Sequence, residues 1–173
     1  MILKPEISLT PEDTEEIKPG LYCEWFFNKR IIAYRLTIVT QGLLETWSNY
    51  VIDTLKRWPA DRPYLAMHNL SQPGISLQYA SLVNFDTANI GILPDYREQA
   101  ETLLAEREQV GSRVAITFSL SLSGKVNKTL ADRHKSRSLI DYRTFYNRAR
   151  SLAWLALNIN DTTHSQEAIR LGQ

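Results

Sequence analysis

The chain has 173 residues, of which 43% are hydrophobic and 23% are charged, and its formal net charge is +1. These values are typical of a globular protein with one domain, and the near-neutral charge excludes a general affinity for nucleic acid or acidic membranes. No segment approaches the ~18 consecutive apolar residues that a membrane span needs, and the first residues lack the pattern of a secretory signal. A single cysteine, Cys23, cannot form an internal disulfide. We therefore expect a cytoplasmic protein.

Charge is uneven along the chain. Residues 1–24 hold six carboxylates and two lysines, whereas residues 125–150 hold eight lysines and arginines and two aspartates. Such asymmetry can guide a partner or a second copy of the chain, or it can mean that the two regions lie near each other. Both interpretations stay open at this point.

The N-terminal third predicts an arm followed by a β-hairpin. Residues 1–20 contain three prolines and a cluster of acids, which favours an irregular arm, with one helical turn starting at Thr10. Leu21–Phe27 and Ile31–Val39 are rich in aromatic and β-branched residues and flank a turn-forming Asn28. In the second strand apolar residues occupy both faces, which is typical of a central strand.

The remaining two thirds alternate between helical and strand patterns. Apolar residues recur at helical spacing from Leu43 to Trp58, and Pro59 stops that helix. Arg107, with Arg97 and several glutamates, is expected on the solvated face of a later helix. The other predicted elements, in chain order, are a strand at Arg62–Leu70, a short helix within 75–92, a helix at Pro94–Val110, a strand at Arg113–Ser119, a helix at Lys128–Arg137, an edge strand at Ser138–Tyr142, a helix at Thr144–Asn158 and a short tail helix opened by Thr163.

Four stretches carry a resemblance to a known family. They are Ile31–Val39 leading into Gln41-Gly42-Leu43, Arg62–Ser71, Arg113–Phe118, and Phe145–Leu155 with its Trp154-Leu155 pair. Together they resemble the STAS and SpoIIAA-like superfamily, whose founding member is an anti-sigma-factor antagonist. The resemblance implies an α/β fold over 21–158, in which helices pack against a mixed sheet with an N-terminal hairpin. It leaves 1–20 as an acidic arm and 159–173 as a tail with a short helix.

This chain departs from the family pattern at the phosphorylation site. In such antagonists an Asp-x-Ser turn leads to an Asp-Ser-Ser-Gly helix start that holds the phosphorylated serine. Here the turn is Asn69-Leu70-Ser71, and the second motif is missing. Ser71, Ser76 and Ser81 are the available substitutes, and whether any of them is phosphorylated stays open.

Reactive groups are sparse. Cys23 and His68 form the sole Cys/His combination, and neither lies in a recognisable nucleophile motif, so a buried structural cysteine is the simpler interpretation. The three histidines are widely separated, and no phosphate-loop or dinucleotide pattern occurs. We therefore predict a protein that is not an enzyme and that uses no metal or cofactor.

The last predicted helix gives the main candidate for a contact surface. Trp154 falls off its apolar stripe, on the side of Arg150, so the indole is either covered by the tail after Asn158 or exposed as an anchor for a partner. The candidate partner-binding residues are Trp154, Arg150, Arg148, Arg143, Ser71 and His68.

The leading functional hypothesis is a regulatory or assembly protein that acts through protein–protein interaction, including self-association. One alternative is a small-ligand or lipid-binding domain with a pocket lined by Trp25, Trp47 and Tyr64. A second is a nucleic-acid-associated protein that uses residues 125–150. A third is a cryptic hydrolase that uses Cys23 and His68.

Overall fold

A six-stranded mixed sheet forms the centre of the molecule. The computed structural model describes residues 9–75, 78, 93–107, 110–121, 124–126, 128–129 and 141–171. Strands β1 to β3 are antiparallel neighbours, and β3 to β6 are parallel, all side by side in chain order. The predicted α/β fold with an N-terminal hairpin is confirmed. The strands are β1 Asp13–Lys18, β2 Leu21–Phe26, β3 Ile31–Leu36, β4 Tyr64–Leu70, β5 Ser112–Phe118 and β6 Asp141–Phe145.

Helices cover both faces of this sheet. The described helices are α1 Gln41–Arg57, a 3-10 turn Pro94–Tyr96, α2 Arg97–Ala105 and α3 Arg148–Leu171. Right-handed crossovers from β3 to β4 and from β4 to β5 step in the same direction, so α1 and α2 share one face. We call it the α1 face. Helix α3 packs on the opposite side, the α3 face.

The alternation of side chains along β3 divides the core into two clusters. Ile32, Tyr34 and Leu36 point to the α1 face, whereas Ile31 and Ala33 point to the α3 face, as predicted for a central strand. Among the described residues, the cluster on the α1 face contains 24 buried residues, and the cluster on the α3 face contains eight. Most of the apolar surface that stabilises the fold is therefore buried under α1 and α2.

Helix α1 begins and ends with specific caps. At its start, the side chain of Thr40 accepts a hydrogen bond from the amide of Leu43 at 3.2 Å. At its end, the buried guanidinium of Arg107 donates to the carbonyls of Leu55, Trp58 and Pro59 at 2.6–2.9 Å. The prediction that Arg107 lies on a solvated face is therefore wrong. The sequence pattern around Arg107 could not indicate this role, because the helix end that accepts its hydrogen bonds lies far away in the sequence.

The prediction that residues 1–20 form an irregular arm is wrong for part of this segment, because residues 13–18 form β1. Asp13 pairs with Trp25 and Glu15 with Cys23 along an antiparallel ladder. Pro11 precedes the strand and no proline lies within it, so every backbone amide of β1 is available. The acids stay hydrated because an edge strand exposes its side chains.

The C-terminal helix also differs from its prediction. Residues 144–145 belong to β6, and Asn147 starts α3 by accepting hydrogen bonds from the amides of Ala149 and Arg150 at 2.8 and 3.2 Å. The helix then continues through the predicted break at Asn158 to Leu171. The separate tail helix is wrong, since no proline or glycine occurs after Asn158 before Gly172.

Other predicted boundaries shift modestly. The helix predicted at Pro94–Val110 is a 3-10 turn followed by α2, which ends at Ala105. The edge strand predicted at Ser138–Tyr142 is β6, shifted toward the C-terminus. The helices predicted within 75–92, with Ser76 and Ser81, and at Lys128–Arg137 lie almost wholly outside the described residues.

Candidate interaction surface

Trp154 lies on α3 and packs against the end of the sheet. Its indole is partly buried, with its centroid 5.8 Å from that of Phe145. The guanidinium carbons of Arg143 and Arg113 lie 5.1 and 5.7 Å from the indole centroid. Each such cation–π contact contributes about 0.5–1 kcal/mol at an exposed site. The indole is therefore held in one orientation by neighbours on β5 and β6.

Strand alternation explains how these residues meet. Asp141, Arg143 and Phe145 share the α3 face of β6, whereas Tyr142 belongs to the core cluster on the α1 face. Arg113 is paired with Asp141 across the ladder, and their side chains form an ion pair at 3.3 Å. Sequence analysis missed Arg113 as a site residue. The sequence signal that could have identified Arg113 is its position at the start of β5, the strand that pairs with β6.

The exposed part of α3 extends this patch. Arg150 is exposed one turn before Trp154, and Leu157 is 68% exposed almost one turn after it. We call this patch the Trp154 surface. Its members are Trp154, Leu157, Arg150, Arg143, Arg113 and Phe145. It combines two aromatic side chains, an exposed aliphatic side chain and three arginines with one neighbouring carboxylate.

Arg148, although predicted as a contact residue, is engaged inside the domain. Its Nη2 donates to Oε2 of Glu24 at 2.8 Å, and Nε of Arg35 donates to Oε1 of the same carboxylate at 2.8 Å. Glu24 is only 3% exposed. This ion triad ties α3 to β2 and β3, and it joins the acidic N-terminal region to the basic C-terminal segment. The engagement removes Arg148 from the contact candidates.

His68 is buried in the core, so its prediction as a contact residue is wrong. Its side chain lies between Tyr34 and Trp47, with ring centroids 5.7 and 5.0 Å away. Every residue of β4 is buried, because the strand is central and covered on both faces. Burial lowers the pKa of His68 to about 3, and among the described residues neither ring nitrogen has a hydrogen-bond partner. The imidazole is neutral at physiological pH.

Ser71 lies in the turn after β4 and is partly exposed. Its amide and hydroxyl donate to Oδ1 of the buried Asn69 at 3.2 and 2.6 Å. Leu65, which pairs with Arg113, lies six residues earlier, and strands rise about 3.3 Å per residue. Ser71 is therefore separated from Arg113 by roughly 20 Å along the strands. The structure does not bring Ser71 into the Trp154 surface.

Cys23 and His68 are not brought together either. Cys23 pairs with Tyr34 and Tyr34 pairs with His68, so a full strand separates them, a distance of about 10 Å. Burial raises the pKa of Cys23 to about 12. A protonated thiol beyond hydrogen-bond reach of the imidazole is not an activated nucleophile.

The aromatic residues of the predicted ligand pocket pack within the core. Trp47 and Tyr64 are 0% and 2% exposed. Trp25 stacks on Trp58, with a centroid distance of 5.9 Å and an interplanar angle of 16°. Trp47 and Tyr64 belong to the buried cluster on the α1 face, and the partly buried Trp25 packs against that cluster.

Within the described part of the chain, no three His, Cys, Asp or Glu residues cluster in a way that could hold a metal ion. No described helix combines the length and the apolar character needed to cross a membrane. Comparisons with protein-family models, curated proteins and solved structures gave no match to this chain.

Proposed function

We propose that this chain is a non-enzymatic, STAS-like regulatory or assembly protein of the cytoplasm that acts through protein–protein contact at the Trp154 surface. The observation that carries the proposal is the indole of Trp154, held beside two guanidinium groups and next to an aliphatic side chain that is 68% exposed. Tryptophan and arginine are the residues most enriched among those that dominate binding energy at protein interfaces.

The fixed orientation of the indole favours binding. Ordering a mobile side chain at an interface costs about 0.5–1.5 kcal/mol. Phe145 and the two arginines already restrict Trp154 before any partner arrives. Burial of Leu157 against a partner would add apolar contact beside this anchor.

Two further observations support the proposal. The separation of Cys23 from His68, with neither group activated, supports a role without catalysis. The hairpin of β2 and β3, followed by parallel strands in chain order, agrees with the arrangement that the STAS resemblance implies.

Quantitative co-purification from the native cell tests the proposal. The variants are Trp154→Ala and Leu157→Ala, with Leu120→Ala as control, since Leu120 is 69% exposed and lies outside the patch. We expect Trp154→Ala to reduce retention of the partner more than tenfold, since truncating such an anchor costs about 2 kcal/mol or more. Leu120→Ala should retain it. Unchanged retention by a folded Trp154→Ala chain would contradict the proposal.

A further inference from the structure

A small cavity opens at the end of the sheet where β3 and β4 begin. Counted to its open mouth, it contains about 230 Å³ of space, enough for a small ligand or for one end of a larger one. We call it the Arg30–Arg62 cavity, and it shares no residue with the Trp154 surface. Six side chains line it, those of Arg30, Trp58, Arg62, Pro63, Leu65 and Ile159.

The register of the sheet brings the two arginines to this cavity. Arg30 directly precedes β3, and Arg62 lies two residues before β4. Because Ile32 pairs with Ala66 in a parallel ladder, both strands begin at the same end of the sheet. Two guanidinium groups from distant parts of the sequence therefore line one cavity.

Neither guanidinium is engaged inside the domain. In the part of the chain that the structure describes, neither Arg30 nor Arg62 forms an ion pair or a side-chain hydrogen bond. Asp61, which is next to Arg62 in the sequence, is exposed and has no ion pair with any described residue. Two positive charges at one cavity repel each other, and an anion bound between them offsets that repulsion.

The turn that carries Arg30 is held in a strained conformation. Three consecutive non-glycine residues, Phe27–Lys29, have φ values of 54°, 54° and 58°. Both carboxylate oxygens of Glu12 accept from the amide of Asn28, at 2.9 and 3.0 Å, and so support this turn. Such strain persists only where the surroundings enforce it, and it is concentrated at ligand sites. The backbone of Arg30 is therefore fixed before any ligand arrives.

The turn that carries Arg62 is also fixed. The amide of Arg62 donates to the carbonyl of Pro59 at 3.3 Å, and the following Pro63 restricts the backbone of Arg62. Nε1 of Trp58 donates to the carbonyl of Pro63 at 3.1 Å. The polar atom of this indole is thereby satisfied, and Trp58 contributes apolar surface to the cavity.

The C-terminal end of α1 lies beside the cavity, and unpaired carbonyls at a helix C-terminus repel an anion. Here the buried guanidinium of Arg107 already binds the carbonyls of Leu55, Trp58 and Pro59. Arg107 does not line the cavity. It offsets the negative end of α1, so the charges of the two cavity arginines remain available to a ligand.

The rest of the lining indicates the body of the ligand. Besides the arginines, the described side chains that line the cavity are apolar, without a hydroxyl, amide or carboxylate group. A sugar or a nucleotide would leave its own polar groups without side-chain partners there. An alkyl chain loses nothing in such a place and gains from leaving water.

We infer that the Arg30–Arg62 cavity binds a small carboxylate that carries a short alkyl chain. The carboxylate accepts charge-assisted hydrogen bonds from the two guanidinium groups. The alkyl chain packs against Trp58 and Ile159. This binding site is separate from the proposed partner surface and does not depend on it.

NMR titration of the full chain at fixed ionic strength in chloride buffer tests the inference. The ligands are butyrate and butyramide, which have nearly the same size and differ in charge. The signal is the indole N–H of Trp58, which lies in the cavity lining. We expect butyrate to shift this signal to saturation and butyramide to leave it unchanged. Acetate should bind about tenfold more weakly, because it lacks two methylenes that the apolar lining would bury.

The variants are Arg30→Gln and Arg62→Gln, and the control is Arg57→Gln. Arg57 is an exposed arginine near the same turn, and it does not line the cavity. Each cavity variant should weaken butyrate binding by at least about tenfold, since a charge-assisted hydrogen bond is lost. The control should change it by less than about twofold. Both cavity variants should fold, because neither guanidinium holds a described contact inside the domain.

A Trp58 signal that butyrate does not shift overturns the inference, and so does equal binding of butyramide. An equal loss in Arg57→Gln also overturns it, because diffuse positive charge would then explain the binding. Tighter binding of inorganic phosphate than of butyrate overturns the assignment of an alkyl carboxylate. If butyrate fails to bind but Trp154→Ala loses its cellular partner, the cavity site is wrong and the proposed function stands.

Discussion

The two faces of the sheet differ in how much apolar surface and how much charge they hold. Among the described residues, the hydrophobic cluster on the α1 face contains 24 members, six of them aromatic, and Cys23 and His68 on this face are both neutral at physiological pH. The hydrophobic cluster on the α3 face contains eight described residues, and this face also holds the ion triad around Glu24 and Trp154 at its rim. One face excludes water and supplies most of the buried apolar surface, whereas the other keeps charge and an aromatic ring close to the surface, where the proposed partner contact lies.

The largest expected effect compares one tryptophan on each face. Trp47→Ala removes a fully buried side chain from the α1 face and should lower the free energy of unfolding by about 3–5 kcal/mol. Trp154→Ala removes a partly buried ring with two cation–π contacts, and the loss should be about 1–2 kcal/mol. Urea unfolding followed by circular dichroism measures both. Equal losses would show that the faces do not differ in this way.

The second prediction concerns the ion triad on the α3 face. Glu24→Gln leaves Arg35 and Arg148 without their carboxylate and should cost about 2–4 kcal/mol, since one partner of a largely buried ion pair is removed. Glu45→Gln, at an exposed position on α1, is the matched control and should change stability by less than about 0.5 kcal/mol. Urea midpoints of the two variants make the comparison. A Glu24→Gln chain as stable as the control would mean that the triad does not hold α3 to the sheet.

Much of the fold was predictable because the central elements have clear periodicity. The apolar run of β4, the alternation of β3 and the helical spacing of α1 each gave the correct element. β1 was missed because an exposed edge strand has no apolar face, and its acids resemble those of an irregular arm.

The site was less predictable because its contacts are distant in sequence. Glu24 and Arg148 are 124 positions apart, and Arg113 meets Trp154 only after β5 and β6 align. Trp154 itself could be found, since its departure from the apolar stripe is a local signal. His68 was misplaced because a polar residue in an apolar run does not show on its own that the strand is covered on both faces.

The third prediction uses pH to examine the α1 face. The folded pKa of His68, about 3, lies below the unfolded value of 6.5, so the unfolded chain binds the extra proton. Stability is therefore complete above pH 6.5 and falls as pH decreases toward 3. Between pH 7 and pH 5 the loss should be about 2 kcal/mol. His68→Leu should remove this part of the slope in urea unfolding series at each pH, and an unchanged slope would contradict the buried neutral imidazole.

The smallest expected effect concerns the thiol on the same face. Cys23 is fully buried and its pKa is raised to about 12, so it should resist thiol reagents in the native protein at pH 8. Full labelling should appear only in denaturing urea. Rapid labelling of the folded chain with a disulfide reagent would show that the α1 face opens to solvent.

Site-specific photo-crosslinking in the native cell tests the assignment of contact to the α3 face most directly. The photoreactive residue replaces Leu157 in one chain and Leu120 in the other, two positions with 68% and 69% exposure. We predict a discrete crosslinked adduct from position 157 and none from position 120. Adducts from position 120 alone would contradict the account, because they would place the contact outside the Trp154 surface.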